Sequence, residues 1–286
     1  MNPSIVVLAD LTATAERIAA YAAALGAPLH AQLTLLHLYE DPVLDPELTP
    51  LSAALADRNQ AQTGRVLREL TGRLPAATEL IVAVGTMPDT VAKAIRHYDP
   101  LLLVMGLSAE EDMLDYWLRN QALPVLRATH RPLLLVPAAA PATGVPRRVL
   151  LAVDAEPFTP NAAARNLAPL LRAWQATYTV AHATAPEERQ AFPGQRALGQ
   201  VRRSGLLPPA EPLELYEQQL APAAGILQAI TDTQADLLVL VARPRSFLGG
   251  LFHRSVTAQV LRRTQVPVLL LPADAPELPG WLPAMS

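Results

Sequence analysis

The two halves of the chain repeat one pattern of segments. An apolar run that ends in Asp, residues 5–10, is matched by residues 149–154, and a proline-led apolar run, residues 131–137, is matched by residues 266–272. The segments between these runs also follow the same order in both halves. Similarity on this scale predicts the duplication of a whole domain and not of a short repeat.

Long apolar runs predict the class of fold. Runs such as Leu101–Met105 and Leu237–Val241 are continuous and do not alternate with polar residues, which is typical of parallel strands covered by helices on both faces. In each half, five such runs alternate with four segments of helical period, and parallel strands need crossover helices. We therefore predict an α/β protein with two tandem doubly wound, mostly parallel five-stranded sheets that carry helices on both faces.

The same patterns give element and domain boundaries. The predicted domains cover residues 1–139 and 146–273, and residues 274–286 form a proline-rich tail. In the first half the strands are 5–10, 32–38, 78–84, 101–106 and 132–136, and the helices are 14–25, 51–74, 89–98 and 115–128. In the second half the strands are 148–154, 177–183, 212–217, 236–241 and 267–271, and the helices are 160–174, 186–204, 221–232 and 253–264. Gly26 is expected to end the first helix, and the pair Pro193–Gly194 to interrupt the helix over 186–204.

Composition excludes several classes of protein. The net charge is −3 and there is no long basic run, so a nucleic-acid partner is not expected. The chain has no cysteine, which excludes disulfides, thiolate chemistry and cysteine-ligated metals. No apolar stretch reaches the roughly 20 residues of a membrane span, and no signal peptide is visible. These features predict a cytoplasmic protein without a membrane partner.

Catalytic and metal-binding motifs give no signal in this sequence. The G-x-S-x-G, H-E-x-x-H, Walker A and Rossmann G-x-G-x-x-G patterns do not occur. We therefore predict no catalytic residue, no metal site and no enzyme activity, with weak nucleotide hydrolysis left open. His37 and His182 lie in apolar strands and are expected to be buried structural histidines. In doubly wound sheets ligands bind beyond the carboxyl ends of the strands, which directs attention to Asp10 and Asp154.

The order and spacing of segments in both halves resemble those of the universal stress protein family. Each half has a first strand that ends in Asp, a loop of about a dozen residues after the fourth strand, and a proline-led last strand. The whole chain resembles the tandem, two-domain form of that family. The resemblance implies the family fold, which is similar to that of the adenine-nucleotide alpha hydrolases, and a regulatory or protective role in a bacterial stress response.

ATP-binding members of the family carry a G-2x-G-9x-G-(S/T) motif after the fourth strand. In the first half its positions fall on Gly106, Ala109 and Arg119–Asn120, and in the second half on Val241, Pro244 and Arg254–Ser255. Only Gly106 and Ser255 agree with the motif. The candidate ligand-binding residues that follow are Asp10, Gly106, Arg119, Asn120, Asp154, Arg243, Arg245, Arg254 and Ser255. Asp10 and Asp154 have a turn or helix cap as their alternative role.

The two loops after the fourth strands differ in charge. The first is acidic, with Glu110, Glu111, Asp112 and Asp115, and would repel a triphosphate. The second is basic, with Arg243, Arg245, His253 and Arg254, and could bind an anion through side chains. Arg119 and Arg254, which replace the last glycine, could fill the vacated phosphate space, pair across an interface or remain solvated.

These observations lead to one main expectation and two alternatives. We expect a tandem stress protein that lacks the usual ATP-binding glycine motif, needs no cofactor and acts through an unidentified protein partner. The first alternative is a protein that binds ATP, another nucleotide or an anion in its second domain, with weak ATPase activity. The second alternative is a purely structural dimerisation module. Because the last strands of the halves are equivalent and apolar, the two domains are expected to pair within the chain, with homodimer formation left open.

Overall fold

The described part of the chain falls into two compact units. The computed structural model describes residues 3–8, 15–39, 64–65, 68–69, 71–74, 78–84, 87–107, 122–140, 144–185, 187, 191–243 and 255–274. One unit is built mainly from residues 1–146 and the other mainly from residues 147–263 and 269–286. Each unit contains its own sheet and helices, and each is described separately below.

The first unit contains a parallel sheet. Its strands are β1 (Ser4–Leu8), β2 (Gln32–Tyr39), β3 (Thr78–Val84), β4 (Leu102–Leu107) and β5 (Leu133–Pro137). They lie in the order β3-β2-β1-β4-β5, and every neighbouring pair is parallel. The chain leaves β1 toward β2 on one side and later returns to β4 on the other, which is the doubly wound order that was predicted.

Three labelled helices connect these strands. They are α1 (Ala15–Gly26), α2 (Met87–Tyr98) and α3 (Leu123–Thr129). Of the helix predicted over 51–74, residues 64–65, 68–69 and 71–73 are helical, and most of the remainder lies outside the described residues. The predicted helix over 115–128 is seen from its second half onward, since residues 115–121 also lie outside them.

The first helix ends at Gly26, as predicted, but Gly26 does not adopt the left-handed conformation of a residue that follows a helix. A short 3-10 helix, Ala27–Leu29, follows α1, and the left-handed residue that ends it is His30, at φ 51°. Gly26 itself has the right-handed φ of −85°. A Cβ atom at this position would lie 2.7 Å from Cδ1 of Ile5 and 2.8 Å from Cβ of Ala31. The glycine therefore allows close packing against β1 and is not needed for a left-handed turn.

The second unit repeats this arrangement. Its strands are β6 (Arg148–Ala152), β7 (Thr177–Ala183), β8 (Leu213–Gln218), β9 (Leu237–Ala242) and β10 (Val268–Pro272). They lie in the order β10-β9-β6-β7-β8. The strand β6 is parallel to both of its neighbours, and β7 is parallel to β8. The predicted α/β class with tandem, mostly parallel sheets is thus confirmed.

The helices of the second unit depart from the prediction at two prolines. They are α4 (Ala162–Arg165), α5 (Ala168–Ala173), α6 (Pro193–Arg203), α7 (Pro222–Asp232) and α8 (Val256–Leu261). The single helix predicted over 160–174 is broken, because Pro169 has no N–H to donate to the carbonyl of Arg165. Pro193 begins α6 and does not interrupt it, since proline is favoured in a first helical turn.

The hydrophobic core of each unit lies on both faces of its sheet. The side chains of β1, β5 and β10 are buried along their whole length, as the continuous apolar runs indicate. Tyr178 on β7 is 2% exposed, and its hydroxyl donates a hydrogen bond of 2.5 Å to the carbonyl of Leu171. Burial, assisted by the charge of Glu211, raises the pKa of this phenol, so it stays neutral and tethers α5 to the sheet.

Candidate functional site: a cavity at the strand ends of the second unit

A cavity of about 640 Å³ lies at the carboxyl ends of the strands in the second unit. Its floor comes from the last residues of β6, β7 and β9, and its sides come from α6, α7 and the start of α8. The first strand of this unit, β6, lies between β7 and β9. This is the point where the strand order reverses, and ligands of doubly wound sheets bind at such a point.

Apolar and polar residues both line the cavity. Ala152 ends β6, Ala155 follows it, and Ala181 lies near the end of β7. Larger apolar side chains, including Ile226 of α7 and Val256 of α8, also line it. Seven of the seventeen described lining residues are polar or charged. They are Asp154, Glu156, His182, Arg196, Arg243, Ser255 and Thr257.

Arg243 is bound to the loop after β6. It directly follows β9, and one of its terminal nitrogens, Nη2, donates a hydrogen bond of 2.5 Å to Oδ1 of Asp154. The same nitrogen donates to the carbonyl of Glu156 at 2.8 Å, and Nη1 donates to the carbonyl of Pro157 at 2.6 Å. The Arg243 side chain is 14% exposed, whereas that of Asp154 is 54% exposed. The guanidinium group thus fixes residues 154–157 as one side of the cavity entrance.

His182 forms part of the cavity wall from β7. Its Nδ1 lies 2.9 Å from the carbonyl of Val153, and its Nε2 lies 2.8 Å from the hydroxyl of Thr184. A carbonyl oxygen can only accept, so Nδ1 carries the proton and Nε2 accepts from the threonine. The ring is 6% exposed. The prediction of a buried, hydrogen-bonded structural histidine is confirmed for His182, and His37 on β2 is buried at 7%.

Ser255 also lines the cavity, and it caps a helix. Its side-chain oxygen accepts a hydrogen bond of 3.1 Å from the N–H of Ala258, which satisfies one free donor at the start of α8. This residue is one of the two that agree with the ATP-binding motif in the sequence. Capping alone accounts for a serine here, so its presence does not by itself indicate phosphate.

The other motif residue, Gly106, has a packing role in the first unit. It is the fifth residue of β4, and a Cβ atom there would lie 2.5 Å from Cδ1 of Ile18 on α1. A side chain at this position would therefore force the end of the Ile18 side chain to shift, so the glycine favours the close approach of α1 to β4. The corresponding fifth residue of β9 is Val241, which lies on the cavity wall. A valine within a strand does not supply the free, flexible backbone that a phosphate-binding glycine provides.

The structure brings together three of the sequence-predicted site residues: Asp154, Arg243 and Ser255. Asp10, Arg119, Asn120, Arg245 and Arg254 lie outside the described residues, as does the acidic loop at 110–115. Sequence reasoning missed Arg196 and Thr257, which also line the cavity. The helical period of residues 193–203 could have placed Arg196 on a polar face, but nothing in the sequence indicates which strand that face approaches.

The described residues contain neither a cluster of metal ligands nor a membrane-spanning helix. No group of three or more His, Asp or Glu side chains among them is arranged to hold a metal ion. None of the described helices combines the length and the apolar character needed to cross a membrane.

Comparison with known families identifies the chain. The model of the universal stress protein family matches residues 1–137 and, a second time, residues 146–272. The chain belongs to the universal stress protein family. The resemblance noted in the sequence is thereby confirmed, the two matches show a tandem member, and membership supports a stress-related role. A comparison with curated proteins gave no match.

Solved structures of other universal stress proteins share the fold. A universal stress protein from Archaeoglobus fulgidus DSM 4304 is 15% identical, with a TM-score of 0.65 over 95% of this chain and 97% of that chain. A putative universal stress protein from Pseudomonas aeruginosa UCBPP-PA14 is 19% identical, with a TM-score of 0.54 over 95% of this chain and 93% of that chain. At these identities the likeness concerns the fold alone.

Proposed function

We propose that this universal stress protein acts by binding a small molecule in the cavity of its second unit, in a regulatory or protective role and without catalytic turnover. The observation that carries the proposal is the cavity of about 640 Å³ at the point where the strand order reverses. Its volume lies within the range of pockets that bind small ligands, and its lining combines apolar side chains with polar groups that can orient a ligand.

The state of the polar groups favours binding over catalysis. Both ring nitrogens of His182 are engaged by the protein, and the Ser255 oxygen caps α8. A general base must offer a free nitrogen or oxygen to the reacting group. Because both nitrogens of His182 are hydrogen-bonded within the protein, this histidine supports the cavity wall and offers no free nitrogen to take a proton from a ligand.

The residues at the glycine positions of the motif also disfavour the usual mode of ATP binding. Val241 occupies the first glycine position in the second unit, and Gly106 in the first unit is explained by its packing against Ile18. The alternative remains that the second unit binds a nucleotide or another anion, with weak hydrolysis. Its specific support is that Arg196, Arg243 and Ser255 line one cavity.

Native mass spectrometry of the purified protein tests the proposal, because a ligand that fills a cavity of this size adds measurable mass. A variant that blocks the cavity, Thr257→Trp, should lose the bound mass and any binding heat in calorimetry. Gln259→Trp is the matched control, since Gln259 is exposed on the same helix and does not line the cavity. Equal ligand content in both variants would place the ligand elsewhere and overturn the proposal.

We propose in addition, from the sequence, that the protein is cytoplasmic and acts through an unidentified protein partner. We also propose that the two family domains pair within one chain. The two family matches support the pairing, because apolar last strands need a neighbour. Expression of residues 1–140 alone should give a dimer or insoluble protein. A well-behaved monomer in sedimentation would refute the pairing.

A further inference from the structure

The charged side chains around the cavity differ in how far the protein itself already uses them in hydrogen bonds. Two acids and two bases line it: Asp154, Glu156, Arg196 and Arg243. The guanidinium of Arg243 already donates to three oxygens of residues 154–157. It is also the less exposed member of its pair with Asp154. The Arg243 guanidinium at the strand ends is therefore already paired with the Asp154 carboxylate.

The open group at the entrance is an acceptor. Oδ1 of Asp154 accepts from Arg243 and from the N–H of Glu156, at 3.1 Å for the latter. Oδ2 of Asp154 receives no hydrogen bond from the part of the chain that the structure describes. The Glu156 side chain is 74% exposed, and its carboxylate lies 4.0 Å from Arg243. A ligand that enters on this side meets carboxylate oxygens that can accept a hydrogen bond.

We infer that the cavity selects an uncharged ligand that donates a hydrogen bond to Asp154, and that Arg243 sets this selectivity against phosphorylated ligands. The inference rests on the proposed binding function. A nucleoside belongs to this class of ligand, and a nucleotide does not. Arg243 offsets the charge of Asp154 and has three of its five N–H donors committed to the protein, and the exposed Glu156 carboxylate repels a phosphate.

The pair between Arg243 and Asp154 does not open readily for an anion. A phosphate that took the place of Asp154 would have to displace its carboxylate. It would then accept hydrogen bonds from the Arg243 guanidinium, which also donates to two backbone carbonyls. The displaced Asp154 carboxylate would then face the phosphate without its own cation, and two like charges repel. Arg196 is exposed on α6, so it offers an anion only a solvated surface cation, and such pairs contribute little.

A matched pair of probes, adenosine and adenosine monophosphate, tests the inference by calorimetry on the full chain. They differ only in the phosphate. Adenosine should bind at least about tenfold more tightly, since Arg243 is already paired with Asp154 and the Glu156 carboxylate disfavours the added charge. Adenosine monophosphate that binds as well as adenosine would overturn the inference and leave the proposed function intact. An absence of heat from adenosine would also overturn it, while mass spectrometry of the co-purified ligand decides separately on the proposed function.

A conservative variant tests the role of the pair. Asp154→Asn keeps an oxygen for Arg243 but removes the negative charge and places a donor where Oδ2 stood. Binding of the monophosphate should rise about fivefold or more, and binding of adenosine should fall about fivefold. Glu187→Gln is the control, because Glu187 is an exposed carboxylate of the same unit that does not line the cavity; it should leave the binding of both probes unchanged. Identical selectivity in wild type and Asp154→Asn would overturn the role assigned to the pair.

Two further variants examine the anion site predicted from the sequence. If the monophosphate binds tightly to the wild type and is lost in Arg245→Ala or Arg254→Ala, the basic loop binds phosphate and the inference is wrong. If these variants leave the preference for adenosine unchanged, the selectivity comes from the strand ends, as inferred.

Discussion

The hydroxyl of Tyr98 donates a hydrogen bond of 2.8 Å to Oε1 of Glu79, which joins the last residue of α2 to the edge strand β3. Burial, the hydrogen bond and the negative charge of Glu79 raise the pKa of this phenol from 10.0 to about 12. The fold therefore favours the neutral phenol. Its stabilising effect is fully present below pH 10 and is lost as the pH rises through about 12.

Tyr98→Phe should reduce the alkaline sensitivity of the first unit. The variant should lose about 0.5–1 kcal/mol of unfolding free energy at neutral pH, since the bond is partly exposed to solvent. The difference from wild type should vanish above the raised pKa, where the wild-type phenol is ionised. Urea unfolding between neutral pH and the alkaline limit measures this, and a pH-independent difference would contradict the assigned cause.

A second tyrosine–carboxylate bond, in the second unit, predicts an effect at low pH. Tyr216 on β8 donates to Oδ2 of Asp232 at 2.6 Å, and Gln228 donates to Oδ1 at 2.7 Å. These bonds, that of Tyr216 first, hold the pKa of Asp232 below its usual value of 3.8. Its stabilising effect is present above that value and is lost as the pH falls further. Asp232→Asn should flatten the acid limb of the stability profile measured by urea unfolding, and Glu217→Gln, which changes an exposed carboxylate on β8, is the control.

Gly106→Ala should destabilise the first unit by about 1 kcal/mol, because the new methyl group meets Cδ1 of Ile18 inside a packed layer. Ile18→Val removes that methyl group. The double variant should therefore be more stable than the sum of the two single changes predicts, and a double-mutant cycle by urea unfolding measures the coupling. Additive effects would show that the glycine is not retained for this contact.

His182→Leu should destabilise the second unit by about 2 kcal/mol. The substitution leaves the buried carbonyl of Val153 and the hydroxyl of Thr184 without their partner. Thr184→Val removes only the bond to Nε2 and should cost about half as much. Urea unfolding gives both values. Equal costs would indicate that the bond to Val153 contributes nothing.

Much of the fold follows from the sequence because continuous apolar runs mark buried parallel strands. The strand predicted over 236–241 is found at Leu237–Ala242, and the one predicted over 78–84 at Thr78–Val84. Helix boundaries were harder, because one residue type can have opposite effects. Pro169 helps to break a predicted helix and Pro193 starts one, and only the neighbouring backbone decides between these outcomes.

The candidate site was predicted only in outline. The rule that ligands bind at strand ends led to Asp154 and Arg243 as separate candidates. Their bond to each other joins residues 89 positions apart, and no local pattern in the sequence encodes such a contact. The same limit applies to Gly106, because the side chain that it packs against, Ile18, lies on another element. The pairing of the two domains stays a prediction.

The alanines of the cavity wall also make the cavity volume adjustable. Ala152, Ala155 and Ala181 line the cavity and each carries a single methyl group. Replacement of one of them by valine would shrink the cavity by a small step and leave Asp154 and Arg243 untouched. A designer could therefore narrow the pocket gradually while keeping the bond that holds residues 154–157 in place.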